Sequence, residues 1–368
     1  MNHSLNNRII RTGFALAASV WLLGGCGRRK AAAGVEGAAA GVEGAAEEHR
    51  PPQVLRVGFA QGGGGTLTTI IREENLLETC GVQADFVLFT NSSDGLNALN
   101  VNKLDIGVSF GTCGPLTFAS QGARFVIIGG SLSGGHPIMV KPENAAQYKT
   151  IQDFRGKTVG TPRIFTSDVI FRGALFDAGI DPKKDLTLVE FKRTVDVLEA
   201  VISGKVDAGV GATSVLGRAV QAGLSFPMFS NDFLPNHPCC RVVATEEAVR
   251  TKRPELVRYL KATLLAEKAF AEDPETGVRA LVNQQKLGDK LARDLVLEPH
   301  VLIQADPNKK GVAAMWAYMK RIGYAQGDLD LDKIIDTTLY YEALQELGTE
   351  SPDPFWEKLK KRYEDQNL

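Results

Sequence analysis

Few residues of this chain have the type and spacing to do chemistry. Beyond Cys26 there are four cysteines, Cys80, Cys113, Cys239 and Cys240, the last two adjacent and preceded by His237. His136, His237, Cys239 and Cys240 make a poor zinc set, because His-x-Cys-Cys lacks the two- to four-residue gap between cysteines that tetrahedral sites use. Neither a metal nor a cofactor is expected. No Ser/His/Asp order, paired-histidine zinc motif or Gly-Lys-Ser/Thr phosphate loop occurs, so the reading is of a protein that is not an enzyme. What remains is a set of small, neutral donors. Gln61-Gly62-Gly63-Gly64-Gly65-Thr66, Asn91-Ser92, Thr112-Cys113, Thr166-Ser167 and Thr213 all stand between a strand-like run and a helix-like one. Such junctions present backbone N–H groups and the positive ends of helix dipoles. Rich in Gly, Ser, Thr and Asn and poor in acids, they suit a small oxyanion.

The elements that position these junctions are legible from apolar runs. Val54–Ala60 reads as a buried strand, followed by the glycine turn and an amphipathic helix to about Leu77. Asp85–Phe89, Asp105–Phe110 and Phe125–Gly129 follow as strands, with a helix over Leu116–Gln121. Ile138–Lys141 reads as the chain leaving a first lobe. A second set begins at Ile151, with strands through Val159-Gly160, over Leu186–Phe191 and at Asp207–Val210. Val242–Ala244 is one more strand. From Glu246 the chain reads as helical, over Pro254–Phe270, Pro274–Gln285, Lys290–Val296, Gly311–Ile322, Asp332–Ile335 and a last amphipathic segment to Asn367.

The two sets are related by a single offset. Leu96–Val108 returns as Leu198–Val210, 102 residues later, and the same shift carries Val57-Gly58 onto Val159-Gly160 and Val87 and Phe89 onto Val189 and Phe191. A period this long is not a solenoid repeat. It predicts two like-built α/β lobes whose ligand lies beyond the carboxyl ends of the strands, where the junctions of both lobes meet.

At 368 residues the chain can bury more than one core, and a net charge of −1 makes no electrostatic case for nucleic acid. Arg8 and Arg11 precede an apolar stretch from about Gly13 to Leu23, then Gly24-Gly25-Cys26. This reads as an export signal over residues 1–25, too short for a comfortable membrane span. Residues 26–52 contain Ala33–Ala38 repeated as Ala40–Ala45, with no apolar side chain in the repeat beyond Ala and Val, and are expected to be a flexible tether. Export places the body in an oxidising compartment, where four cysteines allow three disulfide pairings.

Leu23-Gly24-Gly25-Cys26 resembles the lipobox of bacterial lipoproteins, whose cysteine is lipidated. With it, the glycine turn, Asp153-Phe154-Arg155-Gly156-Lys157-Thr158-Val159-Gly160 and Gly204–Val210 resemble, in order and spacing, the nitrate/sulfonate/taurine type of ABC-transporter solute-binding protein. That group is related to the pyrimidine-precursor binding proteins. The resemblance covers about Val54–Ala271. It implies a type II periplasmic binding protein fold: two α/β lobes joined by two crossover segments, near His136–Lys141 and Phe233–Arg241, with a helical C-terminus. Lobe one is then 53–140 plus 241–368, and lobe two 141–240. It further implies a monomeric periplasmic receptor, lipid-anchored to a membrane through Cys26. Such a receptor closes its hinge on a small anionic solute and hands it to an ABC permease with its cytoplasmic ATPase. The ligand candidates are Gln61, Gly64, Gly65, Thr66, Asn91, Ser92, Thr112, Cys113, His136, Thr166, Ser167, Thr213 and His237. The implied topology also lays the strand after Cys240 antiparallel beside the one ending at Cys113, grouping Cys113, Cys239 and Cys240 for a disulfide. The alternatives are a pyrimidine-precursor-related binding protein or enzyme, and a tethered ligand sensor. The related enzymes use a triple-cysteine run, and this chain has two.

Overall fold

A computed structural model describes residues 53–60, 63–89 and 92–368. The signal, the tether, Cys26, Gln61 and Asn91 lie outside them. Two mixed sheets organise these residues. The first is built from β1 (Leu55–Ala60), β2 (Ala84–Phe89), β3 (Ile106–Gly111) and β4 (Phe125–Gly134). The second holds β5 (Pro137–Val140), β6 (Thr158–Pro162), β7 (Thr187–Phe191), β8 (Ala208–Val210) and β9 (Ser225–Phe229). The chain then returns to the first sheet with β10 (Pro238–Thr245) and the short β11 (Val301–Leu302). The strand orders are β2-β1-β3-β10-β4-β11 and β7-β6-β8-β5-β9. Each sheet has a parallel trio and then an antiparallel strand delivered by the chain crossing from the other lobe.

The 102-residue offset survives in the register. Val57 pairs with Phe86 and Ile106 in the first sheet, and Val159 with Leu188 and Ala208 in the second. The repeated residues have repeated jobs. Asp105 accepts the backbone N–H of Arg56 at 2.8 Å, and Asp207 that of Thr158 at 2.7 Å. Gly58 leaves room for Leu104 and Phe89, and Gly160 for Val206 and Phe191, so in both lobes a helix-side cluster closes on a bare strand.

Strand β5 belongs by pairing to the second sheet and β10, from Pro238, to the first. The crossings therefore run through Gly135–His136 and through the stretch after the short helix Ser230–Phe233, a few residues before the expected divisions at 140 and 240. One face of the first sheet packs Leu55, Val57, Ile106 and Val242 against Leu256, Leu260, Leu339 and Trp356 of the C-terminal helices. Each fully buried aliphatic side chain of this kind contributes about 1.5–3 kcal/mol. The helical C-terminus is as expected, with helices Arg253–Glu272, Glu275–Gln285, Asp289–Val296, Lys309–Arg321, Thr338–Glu350 and Pro354–Asn367. The helix after the glycine turn stops at Glu73, and a short one resumes at Leu76 because Asn75 takes a left-handed conformation, φ 52°. Among the described residues no helix is long and apolar enough to cross a membrane.

Candidate ligand-binding crevice

The first lobe supplies the ends of β1 and β3. Ser109 sits in β3 with φ 63°, a conformation costly for any residue but Gly or Asn. Its hydroxyl accepts from Ala60 N at 2.9 Å and lies 3.2 Å from Ala60 O, locking the two strand ends together. Gly64, in the 3-10 turn Gly63–Gly65, lies against this point. A Cβ there would stand 2.8 Å from Cys240 Sγ and 3.3 Å from Ser109 Cβ, so glycine is required for close approach. Gly65 and the buried Thr66 open the helix Thr66–Glu73, and Ser92 opens the helix Ser92–Asn100. Thr112 is a fastening: its N–H and its hydroxyl both donate to Cys239 O, at 2.7 and 3.0 Å.

Across the crevice stand the turns of the second lobe. Gly111 lies beside the Thr166 hydroxyl. The buried Cys113 thiol is pushed up to about 12 by burial, with the neighbouring Thr166 drawing it the other way. Thr166, Ser167 and Asp168 form the first turn of the helix Thr166–Asp177. Asp168 has no exposure and is fully engaged: it accepts from Ile164 N at 2.9 Å, Arg172 Nε at 2.7 Å and Tyr324 Oη at 2.8 Å. Arg172 also reaches Glu190 at 2.7 Å. A carboxylate thus stands at this helix start with its charge answered by protein. Ile164 is held at φ 67°, an outlier for a β-branched residue, and with Phe165 it leaves apolar surface exposed. Thr213 opens the short turn Thr213–Val215, which meets the Gly63–Gly65 turn directly. Its hydroxyl lies 3.4 Å from His136 Nδ1 and hydrogen-bonds the Cys239 thiol.

The two histidines occupy the hinge. Ser230 N donates to His136 O, and the Ser230 hydroxyl accepts from His136 N while lying 3.2 Å from His237 Nε2. His237 Nδ1 donates to Leu234 O at 2.7 Å. The rings stack at 5.6 Å, binding the two crossovers side by side. Burial lowers His237 to about 4, against the opposing hydrogen bond to Leu234, and holds His136 well below 6.5. Both ring nitrogens of His237 are therefore engaged within the hinge, by Ser230 and Leu234. His136 Nε2 and the Ser167 hydroxyl, by contrast, are buried without a hydrogen-bond partner.

The four cysteines are free thiols, so the disulfide expected among Cys113, Cys239 and Cys240 is not formed here; the sulfurs of Cys239 and Cys240 are 3.4 Å apart, a hydrogen-bonding distance. Cys80 is half-buried among the C-terminal helices, away from them. The crevice thus gathers Gly64, Thr112, Cys113, Thr166, Thr213 and the thiol pair. Sequence reasoning missed three parts of it. The left-handed Ser109 has no sequence signal. Arg241 has none either, although it is wholly buried and donates to Asp306 O, Pro307 O and Leu132 O. Asp168 and Arg172 do show helical i,i+4 spacing, but Tyr324 closes that cluster from far along the chain.

The family model described as NMT1/THI5 like matches residues 73–277, more than half of the chain. A protein of Brucella abortus (strain 2308), carrying the general name of a binding protein, is 25% identical over 230 residues, 61% of this chain and 69% of that one. Among solved structures, the periplasmic aliphatic sulphonate binding protein SsuA from Escherichia coli superposes with a TM-score of 0.65 at 21% identity, covering 78% of this chain and 92% of that one. The periplasmic nitrate-binding protein NrtA from Synechocystis PCC 6803 gives 0.66 at 15% identity, covering 81% and 89%. At these identities the structural likeness speaks for the fold.

Proposed function

The chain belongs to the NMT1/THI5-like family, and from that premise we propose that it is an extracytoplasmic solute-binding receptor of an ABC importer. It captures a small anionic solute between two lobes and presents it to a permease with its ATPase. The observation that carries this reading is the meeting of the Gly63–Gly65 and Thr213–Val215 turns, with Thr166 opposite Cys113. Helix starts and neutral donors of both lobes converge on one crevice. The proteins it resembles in fold bind sulphonate and nitrate by name, which favours an oxyanion. Two buried polar atoms of the crevice without a hydrogen-bond partner, Ser167 Oγ and His136 Nε2, are ones a ligand would satisfy. Binding here requires no bond-making, so the reading is of a receptor and not an enzyme.

The reading extends to the N-terminus. Cys26 carries a lipid after removal of residues 1–25, and residues 26–52 tether a monomeric body to a membrane facing the periplasm. Replacing Cys26 with Ala is expected to release the body into the soluble extracytoplasmic fraction.

Thermal shift against methanesulfonate, taurine, nitrate, bicarbonate, benzoate and pyrimidines tests the solute class. A ligand at a hundred times its Kd adds about 2.7 kcal/mol of stability. One anion is expected to raise the Tm of the wild type and to fail with Thr166→Val/Thr213→Val. A flat response across the anions would overturn the reading.

A further inference from the structure

Neighbouring residues of a regular strand point to opposite faces, so adjacent cysteines ordinarily cannot act together. Strand β10 departs from this at Cys239–Cys240. Its register against β4 shifts between Pro238 and Cys240 and again between Cys240 and Arg241, and irregularities of this kind re-aim side chains. The two sulfurs consequently converge to 3.4 Å, both nearly excluded from solvent. Each meets a different wall of the crevice. Cys240 Sγ fills the space under Gly64 in the first lobe, and Cys239 Sγ meets the Thr213 hydroxyl of the second. The pair lies where the lobes close on each other.

Donor number and angle restrict what such a pair can hold. For bonds to sulfur of about 2.3 Å, sulfurs 3.4 Å apart subtend an angle of about 95° at the bound atom. That is the angle of a pyramidal trivalent centre and is narrow for the tetrahedral geometry of zinc. Among the described residues there is no group of three or more His, Cys, Asp and Glu able to hold a metal ion, so a four-coordinate cation would lack ligands. A trivalent arsenic carrying one organic substituent needs two sulfurs and no more.

We propose that Cys239 and Cys240 form a dithiol site for monosubstituted trivalent arsenicals, R–As(OH)2, inside the crevice. Each thiol attacks arsenic, one As–S bond forms as one As–O bond breaks, and the thiol proton leaves with the hydroxide as water. Two waters are released per arsenic, and no electron changes hands. The Cys240 thiol is held below its ordinary value by the hydrogen bond with Cys239 and then by the buried Arg241 guanidinium, which favours the attacking thiolate. Entry requires the lobes to part. The site stands independently of the anion reading, because its test reads sulfur directly.

The full chain, reduced and desalted, is titrated with phenylarsine oxide, whose hydrated form is such an arsenical, and followed by intact mass and thiol counting. The expected result is one phenylarsenic per chain with the loss of two thiols and a rise in Tm. Cys239→Ser and Cys240→Ser should each abolish the stable adduct, and Cys80→Ser and Cys113→Ser should retain it. Should a serine variant fold poorly, proteolytic mapping of the wild-type adduct decides, with arsenic expected on the peptide holding both cysteines. Absence of an adduct, an adduct surviving in Cys239→Ser, or arsenic mapped to Cys80 or Cys113 would each overturn the proposal. A missing thermal response to anions would leave this result standing and count only against the solute class.

Discussion

A single methyl group at position 64 distinguishes a crevice whose lining fits from one that must deform. Its carbon would press on Cys240 Sγ at 2.8 Å, with Ser109 behind it at 3.3 Å. Gly64→Ala is therefore expected to lose about 1–3 kcal/mol by overpacking. Adding Cys240→Ala removes the obstructing sulfur, so urea unfolding of the double variant should recover part of that loss as a coupling above about 0.5 kcal/mol. Strict additivity would show that the strain lies elsewhere. The repeated aspartates offer a second comparison. Asp105 is buried and binds both Arg56, at 2.7 Å, and Lys252, at 2.9 Å, whereas the exposed Asp207 at the equivalent place accepts from Thr158 N. Asp105→Asn leaves two cations facing a neutral amide and should cost about 3 kcal/mol. Asp207→Asn should cost about 1 kcal/mol. Burial opposes ionisation of Asp105, yet the hydrogen bonds from Arg56 and Lys252 prevail and its pKa falls below 3.8. Its contribution is thus present in full above pH 3.8 and disappears as pH falls through the depressed value. The gap between wild type and Asp105→Asn should narrow only in that acid range.

At the level of elements, the hinge and β10 set the behaviour of the crevice. His136 and His237 are neutral in the fold because burial disfavours their charged forms, and His237 reaches about 4. The unfolded chain protonates each near 6.5, so acid favours unfolding from pH 6.5 downward, until the folded histidine itself titrates. His237 alone should remove about 1.4 kcal/mol per pH unit between 6.5 and about 4. His237→Gln lowers stability at pH 7 but should flatten that slope in urea titrations; an unchanged slope would contradict the hinge assignment. These elements also mark what the sequence discloses. Strands and repeats were legible because Asp105/Asp207, Gly58/Gly160 and their apolar partners satisfy local periodicity twice, at one fixed spacing. The exchange of β5 and β10 between sheets was legible only through the family resemblance, since no local pattern says which distant strand a segment joins. The irregular pairing around Cys240 and the left-handed Ser109 and Ile164 arise from long-range closure of the crevice and were hidden. The engagement of His237 was hidden for a related reason: a histidine among prolines and cysteines carries no local sign that Ser230 and Leu234 meet its two nitrogens.

For the whole molecule, duplication explains the crevice, and the unduplicated C-terminal helices explain how it is held shut. The helix Thr166–Asp177 of the second lobe is clamped near both ends by the chain that follows Lys309. Tyr324 Oη donates to Asp168 at 2.8 Å near its start, and Tyr318 Oη to Asp177 at 2.7 Å at its end, where Arg321 joins. Between these clamps Val169 and Ile170 pack in one cluster with Met315 and Met319, so apolar contact does not depend on the hydroxyls. Removing the hydroxyls should therefore leave the fold intact and shift the balance between closed and open lobes. A hydrogen bond to a charged group is worth about 1.5–3 kcal/mol, and the buried Asp168 bond should approach that range. Losing it changes a two-state ratio by about tenfold to a hundredfold. Asp177 is half exposed, so its bond should count for less. Tyr324→Phe is accordingly expected to enlarge the radius of gyration in solution scattering and to speed amide exchange along 166–177, with Tyr318→Phe doing so more weakly. Both should keep near-native melting. If scattering and exchange stay at wild-type values while Tm falls, the two tyrosines serve the core alone and the closure of the lobes is governed from the hinge.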